Sequence, residues 1–324
     1  MSATVVVGAG VAGRELHARP VSRAVPGRPI VLVDPRLPSG HGTAPHLDAL
    51  PDHVDLRDAV VHVCTPTDLH VTTLLDVVDR GARRVVLEKP LATTSDDLDR
   101  LATCIERTPD VRVRPVAVWP HAAAIDDLRA VVGAATPRQL AEGRMVMVQT
   151  KQRRSDSLAG RGGGQDAFDV ELPHMVLLAV HLLGPVVELE RSSARSAAWM
   201  PELPASGGAT VRLRHGSGAV STLVTRLDSS GRRRHVTVAM GRRWRRVHLP
   251  VDRHHPWSLT TGPDGTIVRR TESPLDRFFV EAYSLLTGPG PHARPTVSLQ
   301  EHLHAARTCL QARSLAGRDG STPS

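Results

Sequence analysis

Short apolar runs alternate with segments of helical periodicity over the first 120 residues. Five runs of β-branched and other apolar residues predict buried strands, at 4–7, 29–34, 58–66, 83–90 and 111–119. Helices are predicted between them at 11–24, 69–82 and 93–107, and Pro20 is expected to break or kink the first of these. Strands alternating with helices are typical of a Rossmann-like, doubly wound parallel sheet in an α/β fold.

The pattern changes after residue 120. A helix is predicted at 121–133, a long strand at 138–150 and a strongly apolar helix at 171–184. Period-two alternation between Gly-rich turns over 185–271 predicts antiparallel strands, and two helices follow near 275–287 and 298–315. We therefore predict a dinucleotide-binding domain over 1–120, an α+β domain with an open, mostly antiparallel sheet over 121–316, and a disordered tail over 317–324.

Composition narrows the class of protein. No apolar run approaches the roughly 18 residues of a membrane span. Cys64, Cys104 and Cys309 are widely spread, which is typical of free thiols in a reducing compartment, so we expect a cytoplasmic protein without a metal site. The formal charge of +8 divides into −1 over residues 1–118 and +9 over the remainder. Because its arginine runs carry almost no interleaved aromatics, solvated arginine-rich strand faces or an anionic substrate are favoured over nucleic acid.

The motif GAGVAG at 8–13 follows a predicted strand and opens a helix, as dinucleotide binding requires. Its glycines allow a tight turn and a close backbone approach to a pyrophosphate, which the helix N-terminus attracts. Asp34 ends the next strand, where a carboxylate receives the ribose hydroxyls and favours NAD. Arg36 leaves NADP open. The predicted cofactor-binding residues of these two segments are Gly8, Gly10, Val11, Ala12, Gly13, Asp34 and Arg36.

Two further segments stand at strand ends, where ligands bind in open parallel sheets. They supply Cys64, Thr65, Pro66 and His70 in CTPTDLH, and Glu88, Lys89 and Pro90 in EKP. With GAGVAG they resemble the Gfo/Idh/MocA (glucose–fructose oxidoreductase, inositol dehydrogenase, rhizopine catabolism) family over essentially the whole chain. The resemblance implies that Lys89, one of only two lysines in the sequence, lies beside the nicotinamide and contacts the substrate oxygen. A partly buried ammonium can donate to a developing alkoxide.

The resemblance extends to GGGQDAFDVELPH, where it implies a catalytic histidine at His174. Gly162–Gly164 correspond to the glycines that precede this helix in the family, although they lie about two residues farther from it. Val170 occupies the place of the family's aspartate, Leu172 that of a glycine and Leu177 that of a second aspartate. Glu171 and Asp169 flank that place, so either is a candidate replacement, and both are equally typical of first-turn helix charges. Lys151, Arg153 and Arg154 follow a predicted strand and are interpreted either as a solvated loop or as candidates for meeting an anionic substrate group. His254 and His255 have no metal-ligand spacing.

The resemblance implies an NAD(P)-dependent oxidoreductase that exchanges a hydride with a secondary alcohol or ketone of a sugar, cyclitol or related polyol. Lys89 and His174 form the expected proton-transfer and polarising pair. The missing aspartate leaves open imine reduction or a redox-neutral reaction with bound NAD, and the family also includes a non-catalytic cofactor-binding regulator. A homodimer or homotetramer is expected, with no nucleic-acid or membrane partner.

Overall fold

The computed structural model describes residues 2–152, 166–252, 255–288 and 296–319. The chain divides into two units. Unit 1 comprises Met1–Val118 and Leu275–Leu303, and unit 2 comprises Trp119–Pro274 and His304–Ser324. The segment Leu275–Leu303 thus belongs to unit 1, although the sequence assigned it to the second domain.

Unit 1 contains a six-stranded, entirely parallel sheet of order β3-β2-β1-β4-β5-β6, which confirms the predicted Rossmann-like sheet. Its strands are β1 (Thr4–Val7), β2 (Ile30–Val33), β3 (Thr43–Ala44), β4 (Val60–Val63), β5 (Arg84–Leu87) and β6 (Arg112–Pro115). Every residue of β1 and β4 is buried, as expected for strands covered on both faces. The short β3 was not predicted.

The helices of unit 1 are Arg19–Ala24, His70–Asp79, Ser95–Arg107 and most of Pro274–Thr287, with a π-helix at Ala12–Ala18 and single 3₁₀ turns at Leu47–Ala49 and Thr67–Leu69. The helix Ser95–Arg107 begins where predicted because the hydroxyl of Thr94 accepts the N–H of Asp97 at 3.1 Å.

The predicted break at Pro20 is wrong, because the helix continues through it. The turns before Pro20 are π-helical, and the N–H of Arg19 donates to the carbonyl of Arg14, five residues back. In an α-helix the carbonyl of Leu16 would need the N–H that proline lacks. After the π-helical turn the α-helix Arg19–Ala24 begins, and Pro20 stands in its first turn, where a missing N–H is tolerated.

Unit 2 contains an eight-stranded sheet of order β14-β13-β12-β11-β7-β10-β9-β8. All of its pairings are antiparallel except β7 with β10, which confirms the predicted mostly antiparallel sheet. The strands are β7 (Arg144–Gln152), β8 (Val186–Arg195), β9 (Gly208–His215), β10 (Val220–Arg226), β11 (Asp228–Met240), β12 (Arg243–His248), β13 (Trp257–Thr261) and β14 (Ile267–Thr271).

The helices of unit 2 are Ile125–Gly133, Pro137–Ala141, Ala167–Val170, Leu172–Leu183 and the later part of Leu299–Asp319, with a 3₁₀ turn at Trp119–His121. No helix in the described part of the chain is long and apolar enough to cross a membrane.

Two predicted boundaries in this half of the chain are wrong. The strand predicted at 138–150 begins at Arg144, because Thr136 and Gln139 form a capping box and start the helix Pro137–Ala141 instead. The final helix continues to Asp319, past the predicted start of the tail at 317. Residues 320–324 of that tail lie outside the described residues.

Candidate active site

Four motifs stand at the carboxyl ends of neighbouring parallel strands in unit 1. Gly8 follows β1, Asp34 follows β2, Cys64 follows β4 and Glu88 follows β5, and these four strands are adjacent in the order β2-β1-β4-β5. The carboxyl edge of an open parallel sheet, where the strand order reverses, is the usual binding position for a nucleotide.

The glycine loop between β1 and its helix fits close to neighbouring backbone. Gly8 has φ of +97°, and a Cβ there would lie 2.5 Å from the carbonyl oxygen of Cys64. A Cβ on Gly13 would lie 2.0 Å from the carbonyl oxygen of Gly8. Gly10 has no heavy atom within 4 Å of the corresponding position, so its backbone can be approached closely. Val11, 64% exposed, and Ala12 complete the loop. This cradle fits a pyrophosphate.

Asp34 is held in place at the end of β2. Its carboxylate accepts the N–H of Ala9 at 3.0 Å and two guanidinium bonds from Arg36 at 2.8 and 2.9 Å. The hydrogen bond and charge of Arg36 hold the pKa of Asp34 well below its usual range. Asp34 is therefore an ionised acceptor suited to the hydroxyls of a ribose, and the exposed Arg36 is engaged with it.

Lys89 is half-buried immediately after β5. Its backbone N–H donates to Oε2 of Glu88 at 2.9 Å, and the Lys89–Pro90 peptide is cis. Burial alone would raise the pKa of Glu88. The hydrogen bond from His17 and the positive charges of His17 and Lys89 outweigh it, so the pKa of this buried carboxyl is lowered far below its usual range.

His70 joins the two strand-end loops. Its Nδ1 lies 2.7 Å from the carbonyl oxygen of Pro90, and its Nε2 lies 3.0 Å from that of Thr65. Both partners are acceptors, and burial lowers the pKa of the imidazole, so the neutral ring can donate to one of them at a time. His70 thus connects the segment of Thr65 and Pro66 to the segment of Lys89.

A chain of buried side chains behind Glu88 escaped the sequence prediction. His17 contacts Glu88, His62 contacts His17, and the Tyr283 hydroxyl lies between His62 and Thr4. Two signals for it were available. His62 interrupts the otherwise apolar strand VVHV, and His17 shares a helical face with Gly13 at a spacing of four. The sequence offered no sign that the only tyrosine of the protein, at 283, completes the chain.

In unit 2, His174 lies in the first turn of Leu172–Leu183 and is half-buried. Its backbone N–H donates to the carbonyl of Glu171 at 3.1 Å. The Glu171 carboxylate, 4% exposed, pairs with the Lys151 ammonium and accepts the amide N–H of Gln149. Burial alone would raise its pKa. The charge of Lys151, with smaller contributions from His174 and Arg234, lowers it instead, so Glu171 is a fixed anion near His174.

Trp119 and Arg234 extend this group of side chains. The Arg234 guanidinium stacks over the Trp119 ring at 4.2 Å, and the Trp119 and His174 rings meet edge to face at 6.4 Å. Burial lowers the pKa of Arg234 to about 10. Buried Nε1 of Trp119, Oε1 of Gln149 and Nε of Arg234 have no hydrogen-bond partner within the described ranges. We call the six residues Trp119, Gln149, Lys151, Glu171, His174 and Arg234 the His174 cluster.

Asp169 has different partners from Glu171. One of its oxygens pairs with Arg313 at 2.7 Å, and the other accepts the N–H of Asp166 at 3.4 Å in a capping box. Arg313 also bonds Asp166 at 2.7 Å. Of the two candidate carboxylates, Glu171 therefore shares the surroundings of His174, and Asp169 secures the start of Ala167–Val170 to Arg313.

Several predicted features lie outside the described residues: Gly162–Gly164, Arg153, Arg154 and His254. His255 bonds Asp252 at 3.0 Å. Within the described ranges, no group of three or more His, Cys, Asp or Glu side chains could hold a metal ion.

Unit 1 has the sheet, glycine cradle and acidic strand end of an NAD-binding Rossmann domain. A family model described as "Oxidoreductase family, NAD-binding Rossmann fold", that of Gfo/Idh/MocA, matches residues 3–114. The resemblance predicted from the three motifs is thereby confirmed for this domain: residues 3–114 match the NAD-binding Rossmann domain of the Gfo/Idh/MocA oxidoreductases.

Solved structures share the fold of the whole chain at low sequence identity. One is a UDP-N-acetylglucosamine 3-dehydrogenase from Acidithiobacillus ferrooxidans, with 17% identity, TM-score 0.76 and 98% of each chain covered. Another is the WlbA dehydrogenase from Bordetella pertussis in complex with NADH and UDP-GlcNAcA, with 17% identity, TM-score 0.72 and 100% of each chain covered.

A third similar structure is an oxidoreductase from Agrobacterium radiobacter in complex with NAD⁺, L-tartaric acid and magnesium, with 13% identity and TM-score 0.75. The match covers 98% of this chain and 97% of the chain of that oxidoreductase. No curated protein matches the sequence significantly.

Proposed function

We propose that the protein is an NAD-dependent dehydrogenase that oxidises a secondary alcohol of a sugar, cyclitol or related polyol, or reduces the corresponding ketone. One observation carries this proposal: Lys89 follows β5 at the same edge of the sheet where the glycine cradle follows β1 and Asp34 follows β2. An ammonium at the edge that binds the nucleotide is suited to contact the atom that gains or loses charge during hydride transfer.

The cofactor supplies the hydride acceptor or donor when bound, and the protein supplies binding, orientation and proton transfer. In oxidation, the substrate C–H carbon gives up a hydride and its O–H gives up a proton, leaving a ketone. We assign the proton to an imidazole nitrogen of His174, which can serve as general base near neutral pH. The Lys89 ammonium donates to the same substrate oxygen and stabilises its developing negative charge.

Glu171 is proposed to replace the aspartate that the family carries at the position of Val170. The supporting observations are that the Glu171 carboxylate is buried and paired with Lys151, and that the charge of His174 contributes to lowering its pKa. A fixed negative charge favours the imidazolium that forms when His174 takes up the substrate proton. Lys151 and Gln149 hold this carboxylate in one orientation.

The substrate class is proposed to include sugars that carry an anionic group. Two observations support this: the positive charge excess lies beyond residue 118, and Lys151 and Arg234 belong to the His174 cluster. Two of the similar structures have names that concern UDP-linked sugars. A dimer or tetramer and a cytoplasmic location remain predictions.

The test is turnover of purified protein with NAD⁺ on UDP-linked hexoses, free hexoses and inositols, followed by the absorbance of NADH. We expect oxidation of at least one sugar. Lys89→Met and His174→Asn should each lower kcat by roughly 10²–10⁴-fold. NAD affinity should be retained in both.

His181→Asn is the matched control for His174→Asn, because His181 lies on the same helix and accepts N–H bonds from Arg129 instead, at 3.1 and 2.7 Å. It should leave kcat unchanged. NAD binding without turnover of any substrate would favour a regulatory protein. Reaction without net formation of NADH would favour a redox-neutral enzyme, and full activity in Lys89→Met would refute the role of Lys89.

A further inference from the structure

Four hydrogen bonds connect Glu88 to the beginning of β1 through side chains that have no part in the proposed reaction. The His17 Nε2–Glu88 Oε1 and His17 Nδ1–His62 Nδ1 distances are both 2.7 Å. His62 Nε2 lies 2.9 Å from the Tyr283 hydroxyl, which lies 2.6 Å from Oγ1 of Thr4. Thr4, His17 and His62 are 0% exposed. We call this set of five residues the buried relay.

The chemistry of the atoms fixes the direction of these bonds. Ionised Glu88 can only accept, so His17 must donate to it through Nε2–H. When His17 is neutral, its Nδ1 carries a lone pair and accepts Nδ1–H of His62. Nε2 of His62 then accepts the Tyr283 O–H, and the Tyr283 oxygen accepts the Thr4 O–H. Every bond in the relay therefore points toward Glu88, and each imidazole is held in one tautomer.

The contact between the two imidazoles limits the pair to a single extra proton. Two nitrogens 2.7 Å apart can share one hydrogen between them but cannot each carry one. A proton added to Nδ1 of His17 makes His62 Nδ1 the acceptor, and the bonds from His62 to Tyr283 and from Tyr283 to Thr4 reverse their direction. Burial, and then the positive charge of His17, lowers the pKa of His62 far below its usual value. His17 is also the ring of the pair that contacts the Glu88 carboxylate, at 2.7 Å, so a cation on His17 has an anionic partner.

Other charged and titratable groups surround the relay. Those that act on Glu88, His62 or Tyr283 are Lys89, His70, Cys64 and Arg28. Phe279 covers both imidazoles, with ring centroids 5.3 Å from His17 and 5.5 Å from His62. The pair is therefore shielded from water, and its only direct anionic partner among the described residues is Glu88.

We propose that His17 is a positioning residue for Lys89: together with His62 it holds the Glu88 carboxylate in place, and its single exchangeable proton sets the charge beside Lys89. This inference rests on the proposed function of Lys89. The link is geometric, because Glu88 uses one oxygen for His17 and the other for the Lys89 backbone N–H at 2.9 Å. If the contact with His17 is lost, the Glu88 carboxylate is free to move, and the Lys89 backbone N–H that it holds is free to move with it.

Kinetics of His17 variants test the proposal. His17→Phe removes both nitrogens, and we expect kcat to fall by on the order of 10²-fold, the effect of displacing a reacting group by about 1 Å. The Kd for NAD should be unchanged. His17→Gln keeps an N–H donor for Glu88 and should restore most of kcat. The assignment would be overturned if kcat fell as far in His17→Gln as in His17→Phe, or if His17→Phe kept full activity.

The pH profile separates positioning from simple structural support. Glutamine cannot take up a proton, so the ratio of kcat in the native protein to kcat in His17→Gln should change with pH as one ionisation. His215→Gln is the matched control, since His215 is also buried, 1% exposed, but lies in unit 2 against Gly184 and Ser221. Its ratio should not vary with pH. A constant ratio for His17→Gln would also contradict the proposal.

Nitrogen-15 NMR of histidine-labelled full-length protein with NAD gives a readout that does not need activity. Above the pH at which the pair takes up its extra proton, His17 should appear as the Nε2–H tautomer and His62 as the Nδ1–H tautomer. Tyr283→Phe, which keeps the ring but removes the donor, should shift the His62 signals. Finding both rings as the same neutral tautomer would refute the relay. If Lys89→Met is fully active while these tautomers are observed, the proposed function fails and the relay geometry stands.

Discussion

The buried relay of unit 1 and the His174 cluster of unit 2 both bury a carboxylate among cationic or titratable groups, but they differ in how completely their polar atoms are paired. In the relay, every side-chain nitrogen and oxygen from Glu88 to Thr4 has a partner. In the His174 cluster, buried polar atoms of Trp119, Gln149 and Arg234 have none within the described ranges. A fully paired network stabilises one arrangement, whereas unpaired buried groups are costly until a ligand bonds them.

The difference in pairing indicates that the buried relay and the His174 cluster have different roles. The relay is finished within the polypeptide, so its effect on chemistry must be indirect, through the position and charge of Glu88. In the His174 cluster, Nε1 of Trp119, Nε of Arg234 and Oε1 of Gln149 have no partner within the described ranges, and the proposed recognition of substrate hydroxyls or anionic groups would use such atoms. Three experiments would break or sharpen this comparison.

The largest expected effect is on stability when the two carboxylates are removed. Glu88→Ala should lower the free energy of unfolding by about 3–5 kcal/mol, because it leaves the fully buried His17 without its anionic partner. Glu171→Ala should cost only about 1–2 kcal/mol, because Lys151 keeps 24% exposure and can turn toward water. Denaturant unfolding of both variants measures the difference. An equal loss of unfolding free energy in the two variants would show that the two carboxylates stabilise the fold equally.

Acid should destabilise the folded protein in the range where histidines titrate. Burial lowers the pKa of His62 and His70 in the folded state, so below the unfolded value of about 6.5 the unfolded chain binds more protons. Their contribution to stability is complete above that pH and is lost as pH falls, by up to about 1.4 kcal/mol per pH unit for each histidine. Unfolding measured between pH 8 and pH 5 checks this. Stability independent of pH in this range would contradict it.

The smallest effect concerns the cofactor. Asp34→Asn removes the charge that opposes a 2′-phosphate and releases Arg36, which should shift the NAD-to-NADP preference toward NADP by at least about tenfold. Fluorescence titration with NADH and NADPH measures the ratio. Arg36→Gln is the companion variant and should leave NAD binding nearly unchanged. An unaltered preference in Asp34→Asn would mean that Asp34 does not face the ribose.

Local patterns predicted the sheet of unit 1 and its strand-end motifs, because glycine spacing, apolar runs and helix caps act over a few residues. Thr94 and Asp97 capped a helix as expected. Pro20 and the strand at 138–150 were misjudged because π-helical hydrogen bonding and the capping box at Thr136 outweighed simple propensity. The groups of side chains around Lys89 and His174 could not be predicted. Their contacts join residues far apart in the sequence, such as Tyr283 with His62 and Trp119 with Arg234, and local patterns do not bring such residues together.

The π-helical turn also sets the position of His17. It lies in the segment Ala12–Ala18, and a π-helix advances each residue by less rotation than an α-helix does. Register along this segment therefore decides which residue faces His62, so a change at Pro20 can act on the relay from a distance of three residues.

The participation of Tyr283 means that the nucleotide-binding domain is not finished when its own sheet has been synthesised. The hydroxyl that bonds Thr4 and His62 belongs to Tyr283, which is synthesised more than 200 residues after them. Until then the nascent domain contains buried polar atoms without partners, a state in which it is open to chaperones and proteases. The buried relay can therefore form all of its bonds only after residue 283 has been synthesised.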